Sequence, residues 1–337
     1  MITASNGLRF SHGTKCVPCF VVLLFLVAGV SVAKANLVID GTFGNSITSL
    51  SDASTVEAGI DAAITRLEAA VATPITVYID FESIGTGLGE SDTYYQEISY
   101  SQYTSDLQSL PMLSGVQQTA LASLPVQTDN PVDGDPNMYL TLPLLRAIND
   151  PTYGTYFGGL DSTISLNLSI INASRTGTQN PDDYDLQAVV AHEMDEALGI
   201  GGAGSVLNSG TTGPVRPMDL FRYSASGVRS FSESSDVTSY FSINGGVTDL
   251  VHFNQTSAGD FGDWGNGTTP AENEGNTPPQ VQDAFGDPGV DVNIGLNELT
   301  ALNAVGYELA PVPEPSGVWL LGGGVIVVAI ALRRKLA

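Results

Sequence analysis

Apolar and polar positions alternate with two different periods between residues 36 and 310, and each change of period marks a new element. Asn36 to Gly44 alternates every second residue and predicts a first strand. Ala58, Ile60, Ala63, Ile64, Leu67 and Val71 recur at helical spacing. Thr55 to Ala72 therefore predicts an amphipathic helix, with Ser54 as its cap. Ile75 to Ile84 is dense in β-formers and predicts a second strand. Tyr94 to Tyr103 fits either an edge hairpin or a strand facing a substrate. Short helices, including Leu140 to Ile148, are expected over 104–150, around an Asp/Asn/Pro/Gly loop at 128–137. Thr163 to Ile171 alternates as another strand, and Leu296 to Val305 predicts a closing helix ended by Gly306, with Asn297 and Glu298 as caps.

The pattern is sharpest from Asp183 to Gly199. Pro181, Asp182 and Asp183 supply capping carboxylates at the positive end of a helix, and Gly199 supplies the stop. At about 100° per residue, Leu186, Val190, Met194, Ala197 and Leu198 form one apolar stripe. His192 and Glu196 lie one turn apart on the other side, so both side chains reach one ion. Glu193 sits on the flank turned toward the apolar stripe, where a carboxylate is costly to desolvate without a partner or a task. Asp195 is expected in solvent.

This helix resembles the H-E-x-x-H helix of zinc metalloproteases, in which two His bind zinc and the Glu serves as base toward the attacking water. Here the second His is replaced by Glu196, giving H-E-x-x-E, and Gly202 stands where the longer metzincin pattern places a third ligand. Downstream come Asp219-Leu220-Phe221-Arg222, Tyr240-Phe241-Ser242-Ile243-Asn244-Gly245-Gly246, Gly259-Asp260 to Trp264, and the closing helix. That block order resembles a group of bacterial metalloproteases carrying PEP-CTERM tails. The implied fold class is α+β: a zincin-like metalloprotease fold with a twisted mixed sheet, a central active-site helix and a C-terminal loop-rich lobe. The implied chemistry is peptide hydrolysis. His192 and Glu196 would be metal ligands, and Glu193 the base. The third ligand is open among Asp219, Asp263, Asp260 and, behind them, His252. Zn²⁺ is the implied ion, with Mn²⁺ or Ca²⁺ admitted by the oxygen-rich set. Arg222 is read either as an oxyanion stabiliser or as a salt-bridge partner of Asp219. Trp264 is expected as a wall of the pocket, and Met218 as loop packing.

Composition adds the location. All 36 acidic residues follow residue 35, while residues 36–315 hold six arginines and no lysine. Such a surface repels nucleic acid and anionic lipid, so neither is an expected partner. Residues 1–35 read as a secretory signal: Arg9 and Lys15, the apolar run Phe20 to Val32, then Ala33-Lys34-Ala35. Both cysteines, Cys16 and Cys19, fall inside it, leaving no disulfide or thiol nucleophile for the exported chain. Residues 311–337 combine Val312-Pro313-Glu314-Pro315-Ser316, an apolar run Gly317 to Leu332, and Arg333-Arg334-Lys335. They resemble the PEP-CTERM sorting tail, with its short transmembrane segment. That resemblance implies export through the inner membrane of a Gram-negative bacterium, a transient C-terminal anchor, exosortase as partner, and an extracellular or surface destination. The domain between is expected over 36–310. Two functions remain: a metal-dependent peptidase acting on protein or peptide, or a non-catalytic matrix protein on a degenerate scaffold of the same kind.

Overall fold

The computed structural model describes residues 36–150, 159–202, 215–265 and 278–311; the expected leader, and the sorting tail beyond residue 311, lie outside them. The period-two pattern becomes strand β1 (Val38–Phe43), and a one-turn helix α1 (Asn45–Thr48) leads into α2 (Ala53–Ala70). Helix α2 begins just after Asp52, so Ser54 lies inside it. In β2 (Thr76–Ser83), Val77, Ile79 and Phe81 are buried while Tyr78 is exposed, as a half-buried strand requires. There follow β3 (Gly89–Thr93), β4 (Tyr95–Ser99), α3 (Tyr100–Gln108), α4 (Gly115–Ser123), β5 (Asn137–Thr141), α5 (Leu142–Ala147) and β6 (Ser162–Leu166). Two short strands, β7 (Ile171–Asn172) and β8 (Tyr184–Asp185), precede the long central helix α6 (Leu186–Leu198). Beyond it lie β9 (Arg222–Ala225), β10 (Val228–Arg229), β11 (Tyr240–Phe241), β12 (Val251–His252) and α7 (Leu296–Val305).

The main sheet has the order β1-β2-β6-β3, parallel across β1, β2 and β6, with β3 antiparallel at the edge. Helices α2 and α6 pack on this sheet and on each other. Leu186, Val190, Met194 and Ala197 of α6 are fully buried, and the first three are each worth about 1.5–3 kcal/mol of hydrophobic burial. A second, antiparallel sheet runs β10-β9-β11-β12. It carries an aromatic cluster in which Phe241 stacks on Trp264 at 5.7 Å and Phe253 lies 5.1 Å from the same ring. The end of the domain returns to its start: Ala310 N–H donates to Ala70 O at 2.8 Å, and Ala72 N–H to Glu308 O at 2.7 Å.

Three elements depart from the sequence expectation, each for a local reason. The Tyr94–Tyr103 stretch is not an edge hairpin, and of its residues only Tyr95, at the start of β4, lines the cleft described below. β4 pairs with β5, and the Ser99 hydroxyl accepts the Gln102 N–H, so a helix starts at Tyr100. The edge strand is β3 instead, Gly-Glu-Ser-Asp-Thr, a segment poor in strong β-formers that reads as a turn. Helix α6 starts three residues later than Asp183. Residues 184–185 stay extended to pair with 171–172, and Asp185 caps the helix by accepting the Ala188 N–H at 2.9 Å.

Candidate functional site

Helix α6 runs beneath β3, and the face it turns outward carries His192, Glu193 and Glu196 into a cleft of ≈ 600 Å³. The cleft is bounded by β3, by residues 259–263 and by the segment 279–292. His192 is fixed first. Its Nδ1 lies 2.9 Å from the Val281 carbonyl and donates to it, which leaves Nε2 as the nitrogen turned toward the cleft, where a cation can take the place of a proton. Glu196 Oε1 is 3.4 Å from His192 Nε2, while its other oxygen accepts the Ser91 hydroxyl. Asp263 Oδ2 is 3.6 Å from the same nitrogen. Its Oδ1 accepts Gly202 N–H at 2.7 Å and Gln282 Nε2–H at 2.8 Å.

Gly202, the residue at the missing-ligand position, thus contributes a backbone N–H that anchors a carboxylate arriving from a distant turn. The approach is tight. A Cβ on Gly201, whose φ is +76°, would lie 2.1 Å from Gln282 Nε2 and 2.8 Å from Asp263 Oδ1. Only glycine lets that stretch of backbone pass so close to the two side chains.

One ligand atom from each of His192, Glu196 and Asp263 lies within 4.8 Å of the others. Metal–ligand bonds of about 2.0–2.2 Å at a tetrahedral angle separate donors by about 3.3–3.6 Å. The two distances to His192 Nε2, 3.4 and 3.6 Å, match that spacing, and are long for direct hydrogen bonds. Gln282, fully buried, holds its Nε2 3.3 Å from His192 Nε2, and its Oε1 has no hydrogen-bond partner among the described residues. The residues present therefore suit one divalent ion, with a nitrogen and two carboxylate oxygens as donors.

The electrostatics fit the same account. Burial alone would lower His192, but the carboxylates of Asp263, Glu196 and Glu193 outweigh it and raise it well above the ordinary value. Burial pushes Asp263 up to about 8 despite the imidazole beside it. Glu193 is 5 % exposed, lines the cleft and is raised well above the usual carboxylate range, by burial first and then by Glu196. Its place exists because residue 89 of β3 is glycine: a Cβ there would meet Glu193 Oε1 at 2.2 Å.

The remaining residues that the sequence singles out sit elsewhere. Asp219 Oδ2 accepts the Arg216 N–H at 2.8 Å at the start of a 3-10 turn, Pro217–Phe221, and is absent from the cleft lining. His252 Nε2 pairs with Asp249 Oδ2 at 2.9 Å on the outer strand β12. Asp260 lines the cleft but is not one of the clustered donors. Arg222 is buried behind the cleft over the Phe253 ring, donating to the Phe261 and Asn254 carbonyls and to Gln255. Its guanidinium is a structural tie, not an oxyanion group; Arg216, 4.4 Å over the Tyr95 ring, is the arginine that does line the cleft. Asp195 is not in solvent: it is 0 % exposed, because α7 also packs on α6. Burial and Glu298 raise its carboxyl well above the usual range. Trp264 belongs to the core rather than the cleft wall. Glu298 caps α7 through Gly295 N–H and also accepts from Trp264 Nε1 and Gln282 N–H, tying that helix to the Gln282 segment. Ser91, Gln282 and the Val281 carbonyl carry no motif, and no sequence signal points to them.

Residues 311–335 match the PEP-CTERM protein-sorting motif. The chain is therefore an exported bacterial protein, anchored at its C-terminus before sorting to the cell surface, and exosortase is the partner of its tail. No curated protein matches the chain. No solved structure matches it either. Among the described residues no helix is long and apolar enough to cross a membrane; the apolar runs at the two ends lie outside them.

Proposed function

We propose that this surface-sorted protein is a metal-dependent peptidase on a zincin-like scaffold, with His192, Glu196 and Asp263 as ligands of one divalent cation and Glu193 as base. One observation carries the reading: three donor atoms and a further buried carboxylate, from α6 and a distant turn, converge on one cleft. The donor set accepts Zn²⁺ and, with more oxygen character than usual, Mn²⁺ or Ca²⁺. Bound there, the cation would polarise a substrate carbonyl and ease deprotonation of a water beside it.

The chain's own residues supply the rest. The Val281 carbonyl holds His192 in one tautomer, and Ser91, Gly202 and Gln282 hold the outer oxygens of the two carboxylates. Glu193 takes the proton of the attacking water and passes it to the leaving amine nitrogen. Burial raises its proton affinity above that of an ordinary carboxylate, which suits a group that must hold a proton as well as take one. Among the described residues strand β3 is paired along one side only, by β6, which leaves its other edge to hold an extended peptide across the cleft.

The test is metal content of protein purified without chelator, followed by digestion of a peptide library. One equivalent of metal in wild type and none in His192→Ala is expected. Glu193→Gln should keep the metal and lose cleavage; cleavage at the wild-type rate would end the mechanism. Glu196 in place of a second imidazole favours one rival. Two carboxylates offset a dication's charge and blunt its acidifying effect, which suits a matrix protein that binds without cutting. Metal-loaded protein that retains peptide yet never hydrolyses it would decide for that rival.

A further inference from the structure

We infer that Arg216 makes the cleft selective for a substrate carboxylate, seating an acidic side chain or a free C-terminus within about one or two residues of the bond to be cut. The inference rests on the proposed reading for where a peptide would lie. Residues 36–315 hold six arginines and no lysine, and five of the six are tied into the fold. Arg146 pairs with Asp161 and Arg175 with Asp185. Arg66 donates to Gln187 and Asn293, Arg222 to Phe261, Asn254 and Gln255, and Arg229 to the Ser123 carbonyl. The Arg216 guanidinium, by contrast, has no hydrogen bond or ion pair among the described residues. It is also the one that lines the cleft.

The residue is nevertheless held firmly. Its N–H donates to Asp219 Oδ2 at 2.8 Å, and the preceding Val215 carbonyl accepts Tyr139 N–H at 2.9 Å. The Tyr95 ring lies 4.4 Å from its Cζ. The N–H groups of a guanidinium lie in its plane, so a ring against one face leaves them unspent. Nε is shut off from solvent without a partner, and Nη1 and Nη2 are the nitrogens left to the cleft. The space that a Cβ on Gly202 would fill lies 3.3 Å from Glu196 Oε1 and 3.4 Å from Arg216 Nη1. The guanidinium therefore stands beside a proposed metal ligand, close to where a scissile bond would lie. A partly buried cation that has lost water and gained no anion is costly, and a carboxylate on the ligand would supply the missing partner through charge-assisted bonds. Asp260 shares the cleft lining but makes no ion pair with it among the described residues. A neutral side chain in the same place would leave the guanidinium unpaired, which is how a polar site rejects a ligand lacking the matching group.

The test uses full-length Glu193→Gln protein, so that binding is read without turnover, and fluorescence anisotropy with labelled Ala-rich octapeptides. Each carries one central Glu or Gln and ends in a free or an amidated C-terminus. A carboxylate should raise affinity about tenfold or more; a gain between Glu and Gln names the side chain as its source, and a gain between free and amidated ends names the C-terminus. Adding Arg216→Gln should erase the gain, and Arg216→Lys should restore part of it. Adding Arg66→Gln, the same loss of charge outside the cleft lining, should leave it intact. No gain in either pair, a gain that survives Arg216→Gln, or an equal loss in Arg66→Gln overturns the inference. So does an Arg216→Gln single variant that lowers kcat alike for Glu and Gln peptides and leaves both KM values unchanged, because the guanidinium would then act on the reacting carbonyl. Arg216-dependent binding of carboxylates by a protein whose wild type cuts no peptide leaves the ligand class standing and removes the peptidase. Cleavage indifferent to the carboxylate does the reverse.

Discussion

Gly201→Ala offers the sharpest check on the geometry of the site. Two costs follow from the structure. At φ +76° an alanine adopts a left-handed conformation, costing about 1–2 kcal/mol. Its Cβ would then stand 2.1 Å from Gln282 Nε2, so the fully buried amide must withdraw. Withdrawal breaks the Gln282 bond to Asp263 Oδ1, a hydrogen bond to a charged group worth about 1.5–3 kcal/mol. The expected total is about 2.5–5 kcal/mol. Gly227→Ala isolates the first cost: it has nearly the same φ, +73°, and nothing within 4 Å of its Cβ. Urea unfolding followed by far-UV circular dichroism gives both stabilities, and isothermal titration with Zn²⁺ gives the affinity. Gly201→Ala should be about 1.5–3 kcal/mol worse than Gly227→Ala and should bind metal more weakly, while Gly227→Ala should bind it as wild type does. If the two variants lose the same stability and Gly201→Ala binds metal normally, the amide is not seated against Asp263 and the account of the site fails.

Further outcomes follow from other residues. Asp263→Ala should lose bound metal as His192→Ala does, whereas Asp219→Ala and His252→Ala should keep it; metal analysis of the purified proteins separates the two sets. Ser91→Ala frees the outer oxygen of Glu196 and should weaken metal binding about 10–100-fold without unfolding the protein, read by competition with a chelating dye. Asp283 has its folded pKa raised to about 8 by burial, above the 3.8 of an ordinary aspartate. Its stabilising contribution is therefore complete below about 3.8 and is lost as pH rises toward about 8, at up to about 1.4 kcal/mol per pH unit. Asp283→Asn should flatten the decline in wild-type stability between pH 5 and 8; parallel urea midpoints across that range would contradict its burial.

What is legible in the sequence is local. β1, α2, β2 and α7 follow from period and composition, because each buries its own stripe on a neighbour. The helix carrying His192 and Glu196 is readable for the same reason. Its start is not, because Tyr184 and Asp185 pair with a distant strand, a tertiary contact that no local pattern encodes. β3 escapes notice because its role depends on lying at a sheet edge, while its residues have weak strand preference. Among the third-ligand candidates, Asp219 and Asp263 look alike in sequence. Only the packing of residues 260–264 against Gly201 and Gly202 separates them. Asp195 reads as a solvated residue because its burial comes from α7, about a hundred residues later. The short-range rules see one helix face at a time, and α6 is covered on more than one.

The lacing of Ala310 onto Ala70 gives the anchored protein a short reach. Among the described residues the last backbone hydrogen bond is at residue 310, and the apolar run of the tail starts at Gly317. Six residues span at most about 20 Å when fully stretched. While the tail is uncut, the cleft can sweep only a thin shell over the bilayer and meets little beyond what passes close to that surface. Release of the tail would enlarge the volume the same surface can search from that shell to the whole extracellular layer.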